Sequence, residues 1–261
     1  MTVRVRPADV LSLAERTSLF NAGYEDYVRP FVVDEAIVGG MIEWFDIDLD
    51  ASRVAFDDGD TPVAFANVAI RGDEGWIGGL GVIVAARRQG IGELVLRSVH
   101  DEARARGAAR VWLEVIDEND AAYRLYEKLG YRVEREVEVW TLSEEVPPGT
   151  AREVPADQAH ERIRALRRTR DPWQRADETL AHYDDATGLE TEGGAVVFRA
   201  AGTMIQLVQI AGDDATELLR TMRARGPVYA LNLPVGDPAA AALRELGGSV
   251  AVRQREMVLE L

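Results

Sequence analysis

Cysteine is absent from this 261-residue chain. That excludes disulfides, thiolate nucleophiles and cysteine-based metal sites. Histidine is scarce. His100, His160 and His182 lie far apart, and none has a second ligand type at a recognised metal spacing, so no metal is assigned. His100 falls in a helical pattern and reads as a surface or boundary residue. No stretch approaches the unbroken apolar length of a membrane helix, so no membrane partner is expected. The opening residues Met1-Thr2-Val3-Arg4-Val5-Arg6-Pro7 lack the apolar core of a signal peptide, and the cytoplasm is the simplest location. Cations are in deficit: 30 Lys and Arg against 45 Asp and Glu give a net charge of -15. A field of that sign repels phosphate backbones, which speaks against nucleic acid, and it favours a cationic substrate such as an amine. Ordinary solubility is the plainer reading of the same charge. What is plentiful is apolar side chain, at 47%, enough for packed cores, in a length that suits two domains.

The periodicity predicts a mixed α/β (α+β) fold. Residues 3–6 alternate like a strand, and residues 8–22 carry apolar positions at helical spacing up to Gly23. A second helix is predicted from Asp34 to Trp44. Strands follow at Ser52–Phe56, Pro62–Ile70 and Trp76–Val84, separated by Asp/Gly turns. A helix is predicted over Gly90–Arg106, with Ile91, Val95, Val99 and Ala103 on one stripe. Then come a strand at Val111–Val115, a helix at Asp120–Leu129 and a strand at Tyr131–Thr141. This order predicts one mixed sheet with helices on both sides.

The informative segment is Gly81-Val-Ile-Val-Ala-Ala-Arg87-Arg88-Gln89-Gly90-Ile91-Gly92, at the end of a strand and the start of a helix. Backbone N–H groups without partners and the helix dipole favour an anion there. Gly90 and Gly92 let a phosphate approach the backbone, and Arg87 and Arg88 can add charge-assisted hydrogen bonds. It is neither a Walker A loop, which needs Gly-Lys-Ser/Thr, nor a dinucleotide fingerprint, which needs three glycines in an early βαβ unit.

Arg87-Arg88-Gln89-Gly90-Ile91-Gly92 resembles the Arg/Gln-x-x-Gly-x-Gly/Ala signature of the GNAT acetyltransferases. Asn119-Asp-Ala-Ala122-Tyr-Arg-Leu125-Tyr126-Glu-Lys-Leu-Gly130-Tyr131 resembles that family's second motif, at the matching distance. The resemblance covers most of residues 3–141. It implies acetyl-CoA as co-substrate and acetyl transfer to a primary amine, on a small molecule or a peptide, by direct attack. It also implies two splayed strands that admit the pantetheine arm. Carried over, Val82, Ile83 and Val84 flank that arm, and the N–H groups of Arg87, Arg88, Gln89, Gly90, Ile91 and Gly92 hold the pyrophosphate. Asn119 reaches toward the thiol end, and Tyr126 protonates the leaving thiolate. Asn119 also fits a helix N-cap, and Tyr126 a core residue. Relatives place a glutamate on the strand before the signature. Here that strand reads Trp76-Ile-Gly-Gly-Leu-Gly81 without one. Glu114 on the neighbouring strand is the first alternative base, on the face shared with Trp112; Glu25, Glu43 and Asp46 are others. A non-catalytic acyl-CoA-binding module and an antibiotic-modifying acetyltransferase are the rival functions, and a homodimer stays open as a partner.

The second half echoes the first. Val111-Trp-Leu-Glu-Val-Ile aligns with Val228-Tyr-Ala-Leu-Asn-Leu, and Leu129-Gly130 with Leu246-Gly247, each at the offset 228 − 111 = 246 − 129 = 117. This predicts two GNAT-like domains in tandem: residues 1–142, a Pro/Gly-rich linker at 143–152, and residues 153–261. In the second copy Gly236 and Leu243 replace Asn119 and Tyr126, and Asp213 stands where phosphate would sit. That copy reads as degenerate, without CoA binding. The basic run from His160 to Arg170 reads as a solvated helix face.

Overall fold

A capping box sets the first helix. Ser12 Oγ accepts from the Glu15 N–H at 3.3 Å, and Glu15 Oε2 accepts from the Ser12 N–H at 2.7 Å. The predicted helix over 8–22 is therefore two pieces, a 3-10 turn at Ala8–Val10 and α1 at Leu13–Gly23. The computed structural model describes residues 3–29 and 31–261. Met1, Thr2 and Pro30 lie outside the described residues, and so does that part of the N-terminal signal-peptide reading.

The chain divides into two units, residues 1–134 with 256–261, and residues 135–255. The first contains β1 (Arg4–Pro7), α1, α2 (Glu35–Trp44), β2 (Arg53–Phe56), β3 (Pro62–Arg71), β4 (Glu74–Val82), α3 (Ile91–Ala105), β5 (Arg110–Ile116), α4 (Asp120–Lys128) and the start of β6 (Arg132–Leu142). Strands β1 to β4 are successive antiparallel neighbours, and β5 lies parallel to β4. The amphipathic stripe of α3 packs Val95, Leu96 and Val99 on Val68, Val111 and Leu113, all buried. On the other face Phe20, Val38 and Phe65 form a second core with α1 and α2. His100 is not a surface or boundary residue. Four positions from Leu96, it widens the buried stripe, is 6% exposed, and its Nε2 lies 2.8 Å from the Tyr131 hydroxyl.

The second unit holds the rest of β6, β7 (Arg152–Val154), α5 (Ala156–Leu166), α6 (Asp177–Leu180), β8 (Thr187–Glu190), β9 (Gly194–Ala201), β10 (Met204–Gly212), α7 (Ala215–Arg223), β11 (Val228–Pro234), α8 (Pro238–Glu245) and the first part of β12 (Ser249–Glu260). Strands β7 to β10 are antiparallel neighbours in order, and β11 lies parallel to β10. Leu207, Leu218, Met222, Val228 and Leu243 make its core. The repeat extends to an irregularity. In β4 the extra, bulged residue is Gly78, three beyond Gly75, which pairs with Val111. In β10 it is Val208, three beyond Ile205, which pairs with Val228. The mixed fold and the tandem architecture expected from the sequence are both present. Among the described residues no helix is long and apolar enough to cross a membrane.

Candidate functional site

β4 and β5 pair only at Glu74–Arg110, Gly75–Val111 and Trp76–Trp112. β4 continues to Val82 and β5 to Ile116, beyond the last of those pairs. The bulge at Gly78 turns β4 at that point. A gap opens there, with the backbone edge of Ile77–Val82 along one side. β4 lies so close to the aromatic core that a Cβ on Gly81 would meet the Phe65 ring at 2.3 Å.

At the wide end of the gap the chain enters α3. The predicted strand reached Val84, but the extended run stops at Val82, because Val84–Ala86 forms a 3-10 turn. The Ile83 N–H still donates to Val63 O, at 3.0 Å. Arg88 and Gly90 take positive φ, 62° and 78°, which curls the backbone into a concave run of amides before the helix. A Cβ on Gly90 would have open space around it, so conformation and not crowding selects glycine. No side chain caps α3, and its first-turn N–H groups have no intrahelical partner. Arg88 and Gln89 are exposed. The Arg87 side chain donates inward, Nε to Val82 O at 3.0 Å and Nη2 to Glu25 O at 2.5 Å and Gly23 O at 3.3 Å.

Three tyrosines gather beside the gap. Tyr126 projects from α4 and is 7% exposed. Burial raises its pKa, and the nearby Tyr24 and Tyr27 add to the effect. Tyr24 is raised by burial too, while a hydrogen bond with the Leu80 backbone opposes the shift. Tyr27 is raised by burial against a hydrogen bond from the side chain of Asn119, with Glu118 adding to the rise. All three phenols therefore keep their protons through neutral pH. Asn119 is the N-cap of α4, its Oδ1 accepting from the Ala122 N–H at 3.2 Å, and it also faces Tyr27. Glu114 lies on the face of Trp112, as alternation predicts, and Trp76 Nε1 donates to its Oε2 at 2.9 Å. The carboxylate beside the tyrosines is Glu118, held by Arg29 at 2.7 Å. Tyr24, Tyr27 and Glu118 were not singled out in the sequence. Only the fold brings the end of α1 to the turn before α4.

The second unit has the same opening in another condition. β10 and β11 pair over Ile205–Leu207 and Val228–Ala230. The 3-10 turn Trp173–Arg175 packs at β11, and Arg175, 1% exposed, donates from Nε to Val208 O at 3.1 Å. Gln209 Nε2 returns a bond to Arg175 O at 2.7 Å. Only Asp213 and Asp214 separate β10 from α7, so the glycine-bearing turn has no counterpart. The basic run is not simply a solvated face. His160 and Arg167 both reach Asp177 Oδ1, at 3.0 and 2.7 Å.

A split pair of parallel strands feeding a helix start, present twice in one chain, defines the tandem acetyltransferase fold. The model of the Acetyltransferase (GNAT) family matches residues 18–131. Over 68 residues the chain is 41% identical to the [ribosomal protein bS18]-alanine N-acetyltransferase of Escherichia coli, covering 26% of this chain and 46% of that one. The Salmonella typhimurium counterpart is 38% identical over 72 residues, 28% of this chain and 49% of its own. The chain thus spans about half the length of the curated relatives it matches. Among solved structures, a GCN5-related N-acetyltransferase from Sphaerobacter thermophilus aligns over 99% of this chain and 95% of its own, with TM-score 0.76 and 17% identity. A tandem GNAT protein from the clavulanic acid biosynthesis pathway aligns over 99% and 98%, with TM-score 0.67 and 13% identity. At those identities the likeness is one of fold.

Proposed function

We propose that the first unit transfers the acetyl group of acetyl-CoA to a primary amine, on a small molecule or a peptide, with both substrates bound together. One observation carries the reading: the β4 edge beyond Trp76 leads straight into an uncapped helix start whose preceding backbone is already curled by Arg88 and Gly90. The edge suits an extended amide-bearing arm, and the amides suit a pyrophosphate.

Acetyl-CoA supplies an activated thioester carbon for the amine to attack. Val82, Ile83 and Val84 flank its arm. The Arg87 N–H already closes the 3-10 turn on Val84 O at 3.3 Å, so the amides of Arg88, Gln89, Gly90, Ile91 and Gly92 take the diphosphate, and Arg87 fixes their placement through its side chain. Asn119 orients the thiol end. Tyr126, kept protonated by burial, donates to the departing sulfur. Glu114, on the strand across the gap, receives the proton of the amine. Holding both reactants in one cleft supplies much of the rate. The filled opening of the second unit, with Asp213 and Asp214 before α7, leaves one donor site per chain.

A thiol-release assay on a broad amine panel tests the reaction. Amine-dependent release of CoA thiol is expected. Tight acetyl-CoA binding without release on any amine would mark a binding module instead.

A further inference from the structure

In the first unit the described residues between Tyr24 and Val33 follow α1 and are tethered at several points. Asn21 clamps the far end, Nδ2 donating to Val33 O at 2.9 Å and Oδ1 accepting from Val33 N–H at 3.0 Å. Arg87 holds the carbonyls of Gly23 and Glu25, Tyr24 engages the Leu80 backbone, Tyr27 engages Asn119, and Arg29 pairs with Glu118. Apart from the Asn21 clamp, each tether ends on β4, on the turn before α3 or on the turn before α4.

A segment fixed this well nevertheless shows apolar side chains to water. Val28 is 45% exposed, Phe31 41% and Val32 84%. Exposed apolar side chains gathered on one tethered segment mark a binding surface. A cleft of about 860 Å³, open mouth included, lies against it. Its lining combines Ala22, Tyr24, Phe31 and Val32 with the acidic residues Glu25 and Asp26. The Tyr24 and Phe31 rings lie 5.1 Å apart between centroids.

We infer that this cleft takes the acceptor, and that the acceptor is a primary amine carrying an apolar or aromatic group close to the nitrogen. The inference rests on the acetyl-transfer reading above. Glu25 and Asp26 attract the ammonium, and the ring faces of Tyr24 and Phe31 add cation–π attraction. Phe31 and Val32 cover the apolar group, removing its surface and theirs from water. A diamine or an aminosugar offers the same positive charge but sets polar groups against those side chains. Tyr24 is shared between this cleft and the β4 edge, where it bonds the Leu80 backbone.

The test is a calorimetric titration of the full chain saturated with CoA, using 2-phenylethylamine and 1,4-diaminobutane as probes. Phenylethylamine is expected to bind about tenfold more tightly, from the apolar area it buries. Phe31→Ser and Val32→Ser should each shrink that preference, while CoA titrates as in the parent protein. Val32 is so exposed that its replacement does not threaten folding. Equal or tighter binding of diaminobutane, or a preference that survives both substitutions, would overturn the inference. The CoA titration separates the two claims. Without CoA binding the acetyltransferase reading falls and takes this one with it; with CoA bound but no preference, only this one falls.

Discussion

At the scale of single residues, the proposed chemistry of the first unit rests on Tyr126 and Gly90. Tyr126→Phe keeps the ring in its buried place and removes only the hydroxyl. Turnover is expected to fall about 100-fold, within the usual range for a lost acid, with acetyl-CoA affinity close to the parent's. Steady-state kinetics beside a binding isotherm check it. Gly90→Ala meets open space yet must hold φ at 78°, so about 1 kcal/mol of stability should be lost, read from denaturant unfolding. His100 gives a pH signature. Burial pushes its pKa down from 6.5 to about 4, so the unfolded chain binds the extra proton. Its contribution is present above pH 6.5 and fades as pH falls toward 4, by up to about 3 kcal/mol. Unfolding at pH 7 and pH 5 should show the parent protein losing more than His100→Gln; equal losses would refute the assignment. The placement of Asn119 as the cap of α4 and of Tyr126 on its buried face was legible because their spacing along one helix is local. Tyr24, Tyr27 and Glu118 were not, because contacts across roughly a hundred residues have no periodic trace.

At the scale of elements, the most consequential piece is the last. Residues 256–261 close the chain inside the first unit, where Met257 is fully buried among Val95, Leu96 and Leu113, and the Leu261 N–H donates to Ala109 O at 2.8 Å. Met257→Ala should cost about 2–5 kcal/mol through the cavity it leaves. Removal of 256–261 should lower the melting temperature of the first unit and its acetyl-CoA affinity together. Thermal scans with and without acetyl-CoA check both, and an unchanged first unit would contradict the packing. The alternation of β12 gave no hint of this sharing, since apolar residues alternate alike whichever unit they serve. Helices were easier. The i+4 stripe of α3 and the glycines that end it appear directly in the sequence, and the capping box at Ser12 explains why α1 starts later than its apolar spacing suggests. The early end of β4 was not legible, because it depends on the 3-10 turn at Val84–Ala86, whose residues resemble a continuing strand.

Across the whole molecule, duplication was legible from one constant offset, and the matched bulges at Gly78 and Val208 support it in three dimensions. The loss of basic and glycine residues before α7 was legible as well. How the second opening is filled was not, because Arg175 lies more than thirty residues before Val208, the residue it bonds. The central claim is that one of the two copies, the first, holds acetyl-CoA. Isothermal titration of the full chain with acetyl-CoA tests this most directly. One site per chain is expected, weakened in Gly90→Ala and intact in Arg175→Met. No binding, two equivalent sites per chain, or a single site that disappears with Arg175→Met while surviving Gly90→Ala unchanged, would contradict it.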